Sequence, residues 1–260
     1  FQDVRFLDGT RFANKVDVFV GGSPCQAFSD VGAKYGLNDT RGTLFYEFAR
    51  IINETQPRVF IYENVRGLTT HDDGKTWAVM RSVFENDLNY RIAEPQILNA
   101  SDYGIPQSRR RVFVIGIRDD IKCPGHFNYN KQTGELIIER VAGHPDKKFT
   151  LTPAVQKYVL AGGTGNYSTS TETDLPIART LMKMMTQHHR AGVDNYITIK
   201  KKPLVLRQLS DREALRLMGY PDDFKIAVSS MQTLRQAGNS IVVDVMMAIV
   251  RQIFLTEAIS

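Results

Sequence analysis

An α/β fold built on a mostly parallel sheet is predicted by three apolar runs and by the helical spacing between them. Val16-Asp17-Val18-Phe19-Val20, closed by Gly21-Gly22, reads as a buried strand that delivers the chain into a tight loop. Residues 43–52 carry apolar side chains at helical spacing, and Pro57 ends that segment before Val59-Phe60-Ile61-Tyr62, a second buried strand. A further helix is expected over 77–86, and the third strand over Arg111-Val112-Phe113-Val114-Ile115-Gly116-Ile117. Strands alternating with helices in this way make a layered α/β domain, whose functional groups gather at the carboxyl ends of strands.

From 119 to 199 the pattern changes to short polar segments rich in Gly, Thr, Ser and Asn, as expected of a smaller, loop-rich domain. A helix returns over 210–218, opened by the capping arrangement Ser210-Asp211-Arg212-Glu213 and stopped by Gly219-Tyr220-Pro221. A last apolar helix is expected over 241–255. The expected boundaries are 1–138 for the first domain, 139–237 for the second, and 238–260 for a helix returning to the first.

The 260 residues are 42% hydrophobic and carry a formal net charge of +5, which suits a polyanionic partner without requiring one. Basic clusters at 109–111, 147–148, 188–190 and 200–202 favour the same partner, though each singly reads as a solvated surface. No stretch approaches the roughly 20 apolar residues of a membrane span, and residues 1–10 lack a signal-peptide layout, so the expected location is cytoplasmic. With only two cysteines there is no disulfide framework and no zinc spacing, and no metal is expected.

Each cysteine is therefore read singly. Cys25 follows a proline in a glycine-rich loop at a strand end, where clustered backbone amides stabilise a thiolate. A buried, inert thiol is the ordinary alternative, and Cys123 is read that way. Glu63 directly follows four apolar residues, so burial at the strand end is expected to raise its pKa and suit it to proton donation. Of the arginines in Gln107-Ser108-Arg109-Arg110-Arg111, at least one should enter the cleft and hold an oxygen-bearing group through its forked donors.

Pro24-Cys25-Gln26, Asp39 to Phe45, Glu63-Asn64-Val65, Gln107-x-Arg109-x-Arg111, Arg207 to Pro221 and Gly238-Asn239-Ser240 together resemble, in order, the motif set of the cytosine carbon-5 DNA methyltransferases. The resemblance implies a Rossmann-like methyltransferase domain plus a smaller, loop-rich target recognition domain, acting on duplex DNA in a bacterial restriction-modification system. It implies that Cys25 adds to carbon 6 of cytosine while Glu63 protonates the ring, and that Arg111 and Arg109 steady the base and Glu63. Carbon 5 then takes a methyl group from S-adenosyl-L-methionine, S-adenosyl-L-homocysteine being the other product. The base must first be flipped out of the duplex, under a loop matching 27–38.

The same resemblance assigns Asp3, Val4, Pro24, Leu44, Asn239, Ser240 and Ile241 to the cofactor pocket. Gln26 and Ser29, with Gly162, Gly163, Thr164, Thr180 and Leu181 of the recognition region, are assigned to DNA. The family's opening glycine-rich cofactor motif and its ribose-holding acid have no counterpart in the 260 residues, so incomplete cofactor binding is expected. A monomer is expected unless that segment sits on a second chain. Two alternatives stand beside the DNA enzyme. One is a tRNA methyltransferase, whose Cys-Phe-Thr element is absent; the other is a catalytically incomplete DNA-binding fragment needing another chain, while a relative that only binds DNA or stimulates a partner has no chemical need for Cys25, Glu63, Arg109 and Arg111 together.

Overall fold

The computed structural model describes residues 3–23, 44–122, 147–164, 167–185 and 189–256. Its regular elements are, in chain order, β1 (Val18–Gly21), α1 (Leu44–Thr55), β2 (Val59–Val65), α2 (Lys75–Ser82), β3 (Tyr90–Ile92), β4 (Gln96–Asn99), β5 (Gln107–Ser108), β6 (Arg110–Arg118), α3 (Pro153–Leu160), β7 (Gly163–Thr164), β8 (Tyr167–Ser168), β9 (Ala178–Arg179), β10 (Tyr196–Lys201), β11 (Leu204–Gln208), α4 (Asp211–Arg216), α5 (Ser230–Asn239) and α6 (Val243–Leu255). They divide between two compact units. The first takes in Phe1–Leu98, Arg110–Asn130 and Ala248–Ser260, the second Asn99–Arg109 and Lys131–Met247.

In the first unit the sheet runs in the order β1-β2-β6-β3, with β4 also against β6. β1 pairs with β2 in parallel, whereas β6 is antiparallel to both β2 and β3. The expectation of a mostly parallel sheet is therefore corrected to a mixed one: β1, β2 and β3 point one way, and β6, inserted between the last two, points the other. The cause lies in the connection. A parallel neighbour needs a long crossover, usually helical, and the chain between β3 and β6 holds short strands and a single 3₁₀ turn, Ala100–Asp102.

α1 packs its apolar stripe on this sheet through Phe45, Phe48, Ala49 and Ile52, all buried with Phe60, Tyr62, Phe84 and Tyr90. The rings meet edge-to-face or tilted: Phe48 lies 5.0 Å from Tyr62 in an edge contact, and Phe60 lies 4.7 Å from Phe84 at a 41° tilt, between ring centroids. Such pairs add to the burial of their area and fix β2 at the centre of the core. The helix expected over 77–86 is found as α2, followed by a wider π turn over Val83–Asp87.

The second unit has its own apolar cluster of Leu151, Val159, Tyr196 and Leu206. It contains the antiparallel hairpin β10–β11, the small hairpin β7–β8 and the parallel pair β5–β9. Ahead of α4, Ser210 accepts from the Glu213 amide and the Glu213 side chain accepts from the Ser210 amide, the capping box expected from sequence. The same Glu213 carboxylate takes a two-pronged bond from Arg207, at 2.8 Å on each oxygen, with both side chains buried. Residues 230–255 are long and apolar enough in composition to cross a bilayer, but the backbone leaves the helix at Ser240, which is extended at φ −84° and ψ 166°.

Candidate active site

β2 is the strand on which the site is built. Val59, Phe60, Ile61 and Tyr62 are fully buried, and the strand becomes accessible only at its carboxyl end, where Val65 is exposed. Glu63 stands at that transition. Its cross-strand partner is Phe113, and Val65 is opposite Arg111; Glu63 and Arg111 are therefore diagonal neighbours on one face, within reach of a long side chain. Arg111 Nε lies 3.0 Å from Glu63 Oε1, with the two side chains 18% and 15% exposed. Arg111 Nη1 also donates to the Arg110 carbonyl, which helps hold the fork in place.

The chain leaving β1 passes directly beside Glu63. A Cβ at Gly22 would lie 2.3 Å from the Glu63 carbonyl oxygen, so only glycine permits this approach. Ser23, next in sequence and buried, places its Oγ 2.7 Å from the Tyr62 hydroxyl. Asn64 completes the cluster: its Nδ2 donates to the Ser23 carbonyl and to the Tyr62 oxygen, both at 2.8 Å. Its Oδ1 accepts from the Val65 amide at 2.8 Å. The two acceptors facing Nδ2 and the donor facing Oδ1 settle which way the amide points. Pro24, Cys25, Gln26, Ser29 and the loop 27–38 lie outside the described residues.

Arg109 and Gln107 are placed in the second unit, with partners that the sequence did not suggest. Arg109 is 4% exposed. Its Nη1 donates to the Leu181 carbonyl at 3.0 Å, and its Nη2 donates to the carbonyls of Gly238 at 3.1 Å and Ser240 at 2.9 Å. Gln107 donates to the Leu217 carbonyl at 2.6 Å and accepts from the Leu181 amide at 3.0 Å. Two side chains from one short segment thus hold three separate stretches: 181, 217 and 238–240. Gly238 allows the closest of these approaches, since a Cβ there would lie 2.6 Å from Lys183 N and from Met182 C.

The remaining expected residues fall as follows. In the first unit, Leu44 opens α1 and is 40% exposed, and the Val4 carbonyl accepts from Arg50 of α1 at 3.0 Å. Asp3 caps the short turn Val4–Phe6 and accepts from Arg5, whose guanidinium holds its carboxyl down to about 2. In the second unit, Asn239 ends α5, Ser240 caps it, and Ile241 follows. Leu181 is buried, and its amide and carbonyl are both engaged. Thr180 Oγ1 donates to the Ser108 carbonyl at 2.6 Å. Gly162 precedes the β7–β8 hairpin, which contains Gly163 and Thr164. Among the described residues no three acidic, histidine or cysteine side chains gather as a metal site. Tyr62 and Ser23 were missed in the sequence; a tyrosine closing an otherwise apolar buried strand was the available signal, because a buried hydroxyl requires a partner.

A strand-end carboxylate paired with an arginine thus stands beside the Gly22-Ser23 arm that leads in sequence to Pro-Cys-Gln. The chain matches the model of the C-5 cytosine-specific DNA methylase family over residues 1–255, and it belongs to that family. It is 36% identical over 255 residues to the type II methyltransferase M.SsoII of Shigella sonnei, and 35% identical over 247 residues to M1.ScrFI of Lactococcus lactis. These alignments cover 92% and 90% of the chain; the chain spans 64% and 61% of the length of those two proteins. In fold it is similar to the S. pombe Dnmt2 methyltransferase, with a TM-score of 0.73 at 18% identity over 96% of this chain and 82% of that one.

Proposed function

We propose that this protein methylates carbon 5 of cytosine within a specific sequence of duplex DNA, protecting bacterial DNA from a cognate restriction enzyme in the cytoplasm. The observation that carries the reading is the Glu63–Arg111 pair beside the Gly22-Ser23 arm, within one compact unit of a chain whose family is established. Its relatives' names as type II methyltransferases support DNA as the substrate.

In this reading the target base is flipped from the stack, at a cost of a few kcal/mol, and its Watson–Crick edge meets Glu63. Cys25 Sγ forms a bond to carbon 6 while Glu63 delivers a proton toward ring nitrogen 3, so the electron pair displaced by addition is neutralised within the ring. Arg111 keeps Glu63 aimed between these events. Once carbon 5 carries the methyl group that the cofactor would supply, loss of the carbon-5 proton to a base from solvent, with return of the ring-nitrogen proton to Glu63, reforms the ring double bond and expels the Cys25 thiolate. S-adenosyl-L-methionine, when bound, supplies the methyl group that carbon 5 accepts. Of the chain's own residues, Leu44, exposed at the start of α1, and half-buried Val4 would offer apolar contacts to the adenine. Asp3 is engaged by Arg5. Residues 139–237, which lie within the second unit, serve as the target recognition domain, with 162–164 directed to the major groove; buried Leu181 supports that region from within.

Incubation of the enzyme with methyl-labelled cofactor and either duplex DNA or tRNA tests the assignment. Label is expected in duplex DNA, recovered as 5-methylcytosine. Label confined to tRNA, or found on the exocyclic amine, overturns it.

A further inference from the structure

We infer that Tyr62, Asn64 and Ser23 form a positioning device that fixes the chain two residues ahead of Cys25, and through it the reactivity of that thiol; the inference rests on the assignment of Cys25 as nucleophile. Three buried polar groups close on one another here: Tyr62 Oη to Ser23 Oγ at 2.7 Å, and Asn64 Nδ2 to both Tyr62 Oη and the Ser23 carbonyl at 2.8 Å. The side chain and the backbone of Ser23 are thus both held, by two residues of the strand that carries Glu63.

Geometry makes this grip consequential. Consecutive Cα atoms are about 3.8 Å apart, so Cys25 Cα lies within roughly 7.6 Å of the Ser23 Cα whatever path the chain takes. Tyr62 and Asn64 share one face of β2, and Glu63 between them points to the other. A drift of Ser23 therefore moves the covalent anchor from which the chain runs on to Cys25, while Glu63 stays on β2. The ring of Tyr62 is locked by Phe48 and Phe45, with centroids 5.0 Å and 6.2 Å away, so its hydroxyl has little freedom to follow.

Packing alone does not account for the tyrosine. Phenylalanine would fill the same space among these rings without burying a hydroxyl, which is costly unless hydrogen-bonded. The hydroxyl accepts from Asn64 and can donate its own proton to Ser23, an alignment in which each bond polarises the next.

The test uses Tyr62→Phe and Ser23→Ala in the full chain, each also in a Cys123→Ser background. Turnover and KM on duplex DNA are measured, with the pH profile of Cys25 alkylation by iodoacetamide and the thermal midpoint. For Tyr62→Phe, kcat is expected to fall by about tenfold to a hundredfold, the cost of small misplacement at a reacting centre, with KM for DNA unchanged. The alkylation midpoint, expected in the parent below the ordinary cysteine value of about 8.5, should rise in both variants. A purely structural role would lower the thermal midpoint and leave the alkylation profile alone, which overturns the inference, as does parental kcat in both variants. If the parent protein itself shows no methyl transfer and an ordinary cysteine profile, the proposed function fails first and takes this inference with it.

Discussion

Glu63→Gln lowers turnover on duplex DNA by about two to four orders of magnitude, the usual contribution of a positioned acid or base, while leaving DNA binding largely intact. Glutamine has the shape of glutamate and keeps an oxygen for Arg111, which stands 3.0 Å away, so the strand end and its neighbours stay in place. What is lost is the capacity to carry a proton to the ring. Without that proton, addition of the thiolate would leave negative charge on the base in a site screened from water. Rapid-quench measurement of a single turnover separates this effect from product release. An unchanged single-turnover rate would remove Glu63 from the chemistry.

Arg109→Met produces the largest loss of local stability expected of any single change in the second unit. It strips donors from the carbonyls of Leu181, Gly238 and Ser240, each held at 2.9–3.1 Å by one buried guanidinium. Unmet buried acceptors cost about 1–3 kcal/mol apiece; because the three share a donor group and relax together, the combined loss is about 3–5 kcal/mol. Backbone amides at 181 and 240 should then exchange with solvent by more than about a hundredfold faster, since 1.4 kcal/mol corresponds to a factor of ten. Arg109→Lys should recover little, as one ammonium cannot reproduce the fork. Unchanged protection at these amides would show that the carbonyls find other donors.

The two predictions fall on motif residues that were equally visible in the sequence but not equally interpretable. Glu63 and Arg109 both stand beside apolar strands, and local pattern alone suggests the same cleft for each. What separates them is register: Arg111, two residues on, falls opposite Val65 and so reaches Glu63, whereas Arg109 precedes β6 and turns to the carbonyls of 181, 238 and 240. Pairing register and strand direction are tertiary properties. Nothing in Arg111 to Ile117 says that the strand runs against its neighbours.

Elements with continuous apolar runs were legible, as were those with strong caps. β1, β2, β6, α1 and α6 all appear within a few residues of their expected limits, and the capping box at Ser210 and Glu213 forms as written. The segment 119–199 was less transparent. α3 begins at Thr152-Pro153, a cap followed by proline at the first helical position, and that signal was passed over among the surrounding polar residues. β10 escaped notice because Lys200 and Lys201 replace its apolar alternation at the exposed end, and α5 because its stripe is only Thr233, Leu234 and Ala237, closing on Gly238. The Ser23–Tyr62–Asn64 cluster could be seen only once β1 and β2 were laid side by side.

The central claim is that Cys25 attacks a flipped cytosine and that this chain's acid and arginine serve that attack. Duplex DNA carrying 5-fluorocytosine at the target position tests it directly, because fluorine cannot leave as the carbon-5 proton does and the enzyme remains attached. In the presence of cofactor, a denaturant-resistant complex with a covalent bond mapped to Cys25 is expected, and none with Cys25→Ser. A complex that persists in Cys25→Ser, or methyl transfer by that variant at the parental rate, would contradict the account.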